Sequence, residues 1–279
     1  DHPLGAPILG TEETVGSLTR PRLVRRFREV FRPERTLLAV VGAFEPEAFL
    51  RTLERERRRR RRPAPVAVVA NAGGRPRATR CAFHIPRPDL NQTHLLVGTP
   101  APAFGDRLVP AAWLLSVVLG GGVSSRLWRR VRERHGLAYQ VGAGLTLHRD
   151  GGMALIEAAT APKKLPKLVR ATGSVLRELR QAGITRAELR RAKDQMRAEI
   201  AMSLESTSAR RERGARAWFF RGRPWGADET IAEIEAVTAA DVDDAVGALF
   251  GRPDASGFGV TGPSLVGATV DDLAGELAA

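Results

Sequence analysis
Strand-like and helix-like patterns are segregated along this chain of 279 residues, and that order limits its fold more than any other feature. Alternating or short apolar runs that suit strands occur at 81–85, 93–98, 138–147 and 153–159, the last two joined around Asp150-Gly151-Gly152. Helical spacing then takes over. It runs from 165 to 182, where Gly183 closes it, and from 185 to about 204. The second of these opens on a capping box, Thr185-x-x-Glu188, and carries one stripe of Leu189, Ala192, Met196 and Ile200. Helices also fit 209–220 and 238–249, the latter with Asp241 just inside its first turn, and a last strand fits 256–261. Strands, then helices, then a closing strand indicate an α+β layer, with helices on one face of a sheet. Met196 and Met202 read as core filler.

The first 56 residues do not complete a layer of this kind. Thr19 can cap a helix carrying Leu23, Phe27, Val30 and Phe31, and Pro33 stops it. Residues 36–41 (TLLAVV), ended by Gly42, suit a buried strand, and a helix with Phe49 and Leu53 follows from Glu45. One strand forms no sheet by itself, so this piece requires strands from elsewhere. A linker is expected at 57–79, which holds six consecutive arginines, Pro63, Pro65 and Asn71-Ala72-Gly73-Gly74. A new unit begins near residue 80.

Cys81 is the only cysteine, which excludes an internal disulfide and a cysteine-based zinc site. The longest apolar run, 109–119, is interrupted by Pro110 and Ser116 and falls short of the roughly 18 residues of a membrane span. No secretory signal is visible, and the chain opens Asp1-His2-Pro3-Leu4 without an initiator Met, so a trimmed, processed or truncated start is expected. A soluble protein is expected, its compartment left open between cytoplasm and periplasm. The net charge of +13 invites comparison with nucleic-acid binders. Only four of the 44 basic residues are lysine, however, an arginine bias that fits a GC-rich genome. Residues 20–62 concentrate the excess, with 15 Arg against 6 Asp and Glu, and the Arg57 to Arg62 block reads as a solvated helix end or linker. No aromatic lies between Phe49 and Phe83, so that stretch has no base-stacking platform. Nucleic acid is therefore disfavoured as a partner.

No complete catalytic apparatus is visible. The five histidines include no pair three or four apart, so no helix presents two of them to a metal. His84 and His94 read as structural imidazoles. Gly120-Gly121-Gly122-Val123-Ser124-Ser125 lacks the lysine of a phosphate-binding loop and the spacing of a dinucleotide fingerprint. It reads as a turn feeding a helix that Ser124 or Ser125 can cap and Gly136 ends.

The string from 119 to 141, LGGGVSSRLWRRVRERHGLAYQV, strongly resembles the second-domain signature of the M16 metallopeptidases, the insulinase, pitrilysin and mitochondrial processing peptidase family. Residues 1–42, DHPLGAPILGTEETVGSLTRPRLVRRFREVFRPERTLLAVVG, resemble the closing part of that family's first domain, and Asn91-Gln92-Thr93-His94 the strand that opens its second. The resemblance implies an M16/LuxS-like layered antiparallel sheet with helices on one face, preceded by a partial first domain. Residues 1–62 would be the remnant, 63–79 the linker and 80–279 the C-terminal-type domain. Family enzymes bind zinc through an inverted H-x-x-E-H helix and a distant Glu, all upstream of the HPLG segment on which this chain opens. The chain is thus expected to bind no metal and to supply no catalytic residue of its own, zinc lying in a missing segment or a partner subunit. It retains the family's substrate-binding pair, which maps to Arg132 and Tyr139. Both can donate hydrogen bonds to a peptide carbonyl or to the oxyanion formed from it. Arg130, with no assigned contact, is the matching control. The implied function is the peptide-binding, zinc-free half of a metallopeptidase, as a fragment or as a non-catalytic subunit beside a zinc-bearing M16 partner. The alternative is a non-catalytic scaffold of the same family.

Overall fold
The computed structural model describes residues 2–59, 74, 76–252, 255–265 and 267–278. They divide into two compact units, Asp1–Pro76 with Met202–Trp225, and Arg77–Ala201 with Gly226–Ala279.

The second unit is built on a five-stranded sheet. Its strands are β1 (Cys81–Pro86), β2 (Thr93–Ala101), β3 (Ala138–Leu147), β4 (Gly152–Thr160) and β5 (Gly257–Gly262), in the spatial order β1-β5-β2-β4-β3. All pairings are antiparallel except β1 with β5, which run parallel. The expected sheet is thus antiparallel over four strands and gains one parallel edge. Alternation along β2 shows why only one face is covered: Thr93, Leu95, Val97 and Thr99 are buried, while His94 and Leu96 are exposed. Phe258, Val260, Ile156 and Ala158 join the buried side. Phe83, Ile85 and Leu96 stay exposed on the other.

Four helices supply most of the covering layer: α4 (Val109–Gly120), α5 (Leu165–Ala182), and two further on, at Ala239–Phe250 and Val270–Ala278. Helix α4 is apolar around most of its surface and buries Val109, Ala111, Ala112, Leu114, Leu115, Val118 and Leu119. Its end lies against β3 so closely that a Cβ on Gly120 would overlap the backbone nitrogen of Ala143. Only glycine permits that approach. Helix α5 ends at Gly183, whose φ of 62° suits a residue without a Cβ. Next comes α6 (Arg186–Ser203), opened by the expected box: the Thr185 hydroxyl accepts from the Glu188 N–H, and the Glu188 carboxylate accepts from the Thr185 N–H at 2.8 Å. Later in the chain lie α7 (Thr207–Arg221), α8 (Ala227–Ala236), α9 (Ala239–Phe250) and α10 (Val270–Ala278). No helix among the described residues is long and apolar enough to cross a membrane.

In the first unit, α1 (Glu12–Gly16), α2 (Arg20–Val30) and α3 (Pro46–Arg59) form, together with α7. Residues 36–41 are not a strand, contrary to the reading of their apolar pattern. Local β propensity cannot make a ladder without a neighbouring strand, and none is present among the described residues of this unit. No residue from 2 to 58 is buried, and Phe27, Phe31, Leu37 and Leu38 are all exposed. Arg57 to Arg59 end α3, whereas Arg60 to Arg62 and most of the expected linker lie outside the described residues.

Arg126 joins two distant parts of the second unit. Its guanidinium donates to both Glu188 carboxylate oxygens, at 2.8 and 2.9 Å, and to the Gly183 carbonyl at 2.8 Å. The Arg126 hydrogen bond, helped by Thr185, holds the Glu188 carboxyl down to about 2 against the opposing effect of burial. A depressed folded-state value stabilises the protein above the ordinary value of 4.5, and that stabilisation drains away as pH falls from there through about 2. Glu188→Gln is expected to lower stability at neutral pH by about 1.5–3 kcal/mol, the usual worth of hydrogen bonds to charged groups. It should also flatten the acid decline in that window. Urea unfolding over a pH series checks both, and parallel pH profiles for variant and wild type would refute the assignment.

A second expectation follows from the unburied N-terminal segment. Backbone amides in α2 and α3 should exchange hydrogen far faster than those in β2, β4 and β5, because few apolar contacts oppose their opening. Equal protection in the two sets would contradict it.

Candidate functional site
The segment after the three glycines sets the site. Ser125 is buried, and its hydroxyl accepts from the Trp128 N–H at 3.4 Å, capping the helix that follows. Leu127 and Val131, both fully buried, anchor that helix to the core. From Trp128–Arg134 it is wound as a π-helix, a form that recurs at functional sites. Gly136, at φ 54°, ends it and turns the chain into β3.

The entry into β3 is irregular. Ala138 pairs with Thr160 and Gln140 with Ala159, so Tyr139 is the extra residue of a β-bulge. A bulge breaks the ladder and re-aims a side chain. Tyr139 is accordingly 73% exposed. The Arg132 guanidinium lies 4.2 Å from the centre of its ring and 4.0 Å from that of Trp128. Its Nη1 also donates to the Tyr139 carbonyl at 2.9 Å. The two residues singled out by the sequence are therefore in contact, as a stacked cation between two aromatic rings. A cavity of about 350 Å3 adjoins them, bordered also by Gln92, Thr160 and Lys164. Ala159 borders both this cavity and a shallow trough of about 580 Å3 on the open sheet face, which Phe83, Ile85, Leu96 and Trp128 line.

Sequence reasoning did not find Trp128, although its spacing of four from Arg132 on a helix was a usable signal. The bulge had no such signal. Arg130 differs from what was expected of it. It donates to Ser174 at 2.7 Å and to both oxygens of Glu178 at 2.7 and 2.9 Å, and holds the Glu178 carboxyl below its ordinary value. It is unsuitable as a silent control. Arg129, exposed and without a side-chain hydrogen bond or ion pair among the described residues, serves instead.

Alternation along β1 puts His84 on the face opposite His94, which lines the trough. Among the described residues no group of three or more His, Cys, Asp or Glu is placed to hold a metal ion. The donor set of this site, a guanidinium, a phenol, an amide and an ammonium, does not suit zinc.

The family profile described as "Peptidase M16 inactive domain" matches residues 17–196. The chain belongs to the M16 peptidase family. It is 34% identical over 268 residues to an uncharacterized zinc protease of Mycobacterium tuberculosis, covering 94% of this chain and 60% of that protein. It is 30% identical over 254 residues to the uncharacterized zinc protease YmxG of Bacillus subtilis, covering 90% of this chain and 60% of that one. The M16 chain thus spans about 60% of the length of these curated relatives. Among solved structures it superposes on an M16 inactive domain from Pseudomonas fluorescens with a TM-score of 0.77 at 20% identity, covering 94% of this chain and 61% of that chain. A chain of complex III2 from Candida albicans gives a TM-score of 0.79 at 17% identity, covering 98% and 66%. These likenesses establish the M16 fold for the described sheet and helices.

Because the donor set is wrong for zinc, chain purified in the presence of chelator and then dialysed against trace zinc should carry well under one equivalent. Elemental analysis returning one tightly held zinc per chain would locate a site that these residues do not suggest.

Proposed function
We propose that this chain is the peptide-binding, zinc-free half of an M16 peptidase, acting with a zinc-bearing segment or partner subunit of the same family. The observation that supports the reading is the Arg132–Tyr139 contact at the bulge. Arg132 commits one N–H to the Tyr139 carbonyl. No other hydrogen bond occupies its guanidinium among the described residues, so the remaining N–H donors are available to a peptide carbonyl. The Tyr139 hydroxyl offers a second donor from the end of an exposed ring. Two donors on different elements can address one extended peptide, either as it binds or as its carbonyl becomes an oxyanion. The reaction of the whole assembly would be peptide-bond hydrolysis. Any metal in it would be held outside the described residues, and this chain's part is to bind and orient. Residues 1–62 would then be the end of a first domain completed elsewhere, joined by 63–79 to the C-terminal-type domain 80–279. A scaffold role is the second reading, and the fold likeness to a chain of complex III2 favours it. The stacked pair of half-buried Arg132 and exposed Tyr139 has no evident purpose in that case.

The test uses the full-length protein or the reconstituted assembly. Tyr139→Phe removes one donor and keeps the ring. Loss of an oxyanion donor typically lowers kcat by about 10²–10³-fold, and a loss of that size or smaller is expected. Arg132→Lys should be impaired too, since an ammonium lacks the planar fork. Arg129→Lys should be nearly silent. Wild-type kcat/KM in both Tyr139→Phe and Arg132→Lys would return the chain to the scaffold reading.

A further inference from the structure
The turn that delivers Tyr139 keeps its N–H groups bonded back to the π-helix, Gly136 to Arg132 at 3.1 Å and Leu137 to Val131 at 2.8 Å, and its carbonyls are held by side chains. Three backbone carbonyls, those of Gly136, Leu137 and Tyr139, each accept a hydrogen bond from a side chain of a different element. Lys164 Nζ, in the turn before α5, donates to Gly136 at 2.9 Å. The Thr160 hydroxyl, at the end of β4, donates to Leu137 at 2.6 Å. Arg132, in the π-helix, donates to Tyr139 at 2.9 Å. A bulge leaves its ladder interrupted, and buried backbone acceptors do not go unpaired in stable proteins. Thr160 is only 2% exposed and Leu137 only 8%, so water does not replace this bond readily. Thr172, equally buried on α5, has a hydroxyl with no hydrogen-bond partner among the described residues.

We propose that Thr160 and Lys164 are positioning residues that fix the 136–139 turn so that the Tyr139 ring and carbonyl meet the Arg132 guanidinium. This rests on the peptide-binding reading for its functional meaning. The geometry it describes stands apart from that reading and can be measured without substrate. Thr160 sets where the turn enters the sheet, because the same residue pairs with Ala138 in the ladder and holds the carbonyl just before it. Lys164 holds the carbonyl of the preceding corner, adding to the backbone bonds that the Gly136 N–H makes to Arg132 at 3.1 Å and the Leu137 N–H makes to Val131 at 2.8 Å. Losing either anchor lets the bulge slide along β4, and Tyr139 leaves the guanidinium.

The chain has one tyrosine, so protein carrying ring-labelled tyrosine gives one unambiguous set of NMR signals. In the wild-type chain, nuclear Overhauser contacts should join the Tyr139 ring protons to the Arg132 side chain. They should disappear in Thr160→Val, which keeps the shape and removes the hydroxyl, and return in Thr160→Ser. Lys164→Met, at an exposed position where misfolding is not a concern, should weaken them, and Lys164→Arg should restore them. Thr172→Val, which deletes the Thr172 hydroxyl, should leave them intact, so a general loss of packing is told apart from loss of position. Full-strength contacts in Lys164→Met and in folded Thr160→Val overturn the proposal. If Thr160→Val does not fold, full-strength contacts in Lys164→Met alone do so. In the assembled peptidase, Thr160→Val should then lower kcat/KM by up to about 10²-fold, the scale of a one-ångström misplacement. Lost contacts together with unchanged cleavage keep the positioning role and refute the peptide-binding reading instead.

Discussion

The close approach of α4 to β3 at Gly120 is the constraint on which the rest of the second unit depends. A side chain there would collide with the Ala143 backbone and lever the helix off the sheet. Gly121 is equally confined, by Val117 one turn back, and its carbonyl accepts from the Gln195 amide of α6. The three-glycine string is therefore less a flexible turn than a flush joint between helix and sheet. Everything downstream is counted from it: Ser125 caps, Leu127 and Val131 plug into the core, and Arg126 reaches back to Glu188. Arg132 arrives at the bulge because these points have fixed the start and the roll of its helix.

Much of this was legible in the residues because caps and breakers act locally. The Thr185 and Glu188 box, Gly136 and Gly183 mark element ends through contacts within a few residues of themselves, and the structure has them where the pattern put them. The Thr238 box with Asp241 opens α9 in the same way. Helix α10 carried the same kind of signal, Thr269 with Asp272, and went unread. Helix α8 is short and buries only Ile234, too little for its period to stand out. The π-helix was invisible for a different reason. Apolar spacing reports a face without reporting the hydrogen-bond offset that distinguishes a π-helix from an α-helix. Residues 36–41 fail in the opposite sense: the propensity is real, and the partner that would express it is not among the described residues.

At the site, the pair Arg132 and Tyr139 came from a resemblance, and its geometry came from three-dimensional contacts of which only that of Trp128 had a signal in the spacing. Trp128 beneath the guanidinium, Thr160 beneath the turn and Lys164 beside it lie 4, 28 and 32 residues from Arg132 in sequence. A membership in the M16 family explains why the string from 119 to 141 is there. The physical reason it works as a unit is that one guanidinium is stacked twice and bonded once, which leaves it little freedom to be anywhere else.

The bulge at Tyr139 also affects how the molecule meets its own copies. Strand β3 is at the rim of the sheet, paired with β4 alone among the described strands. A straight rim of free amides and carbonyls is a template on which a like strand from another molecule can grow. Here the ladder loses its rhythm at the second residue of β3, and the Tyr139 carbonyl is already taken by Arg132. The contact that orients the guanidinium therefore also blunts this end of the rim against self-association.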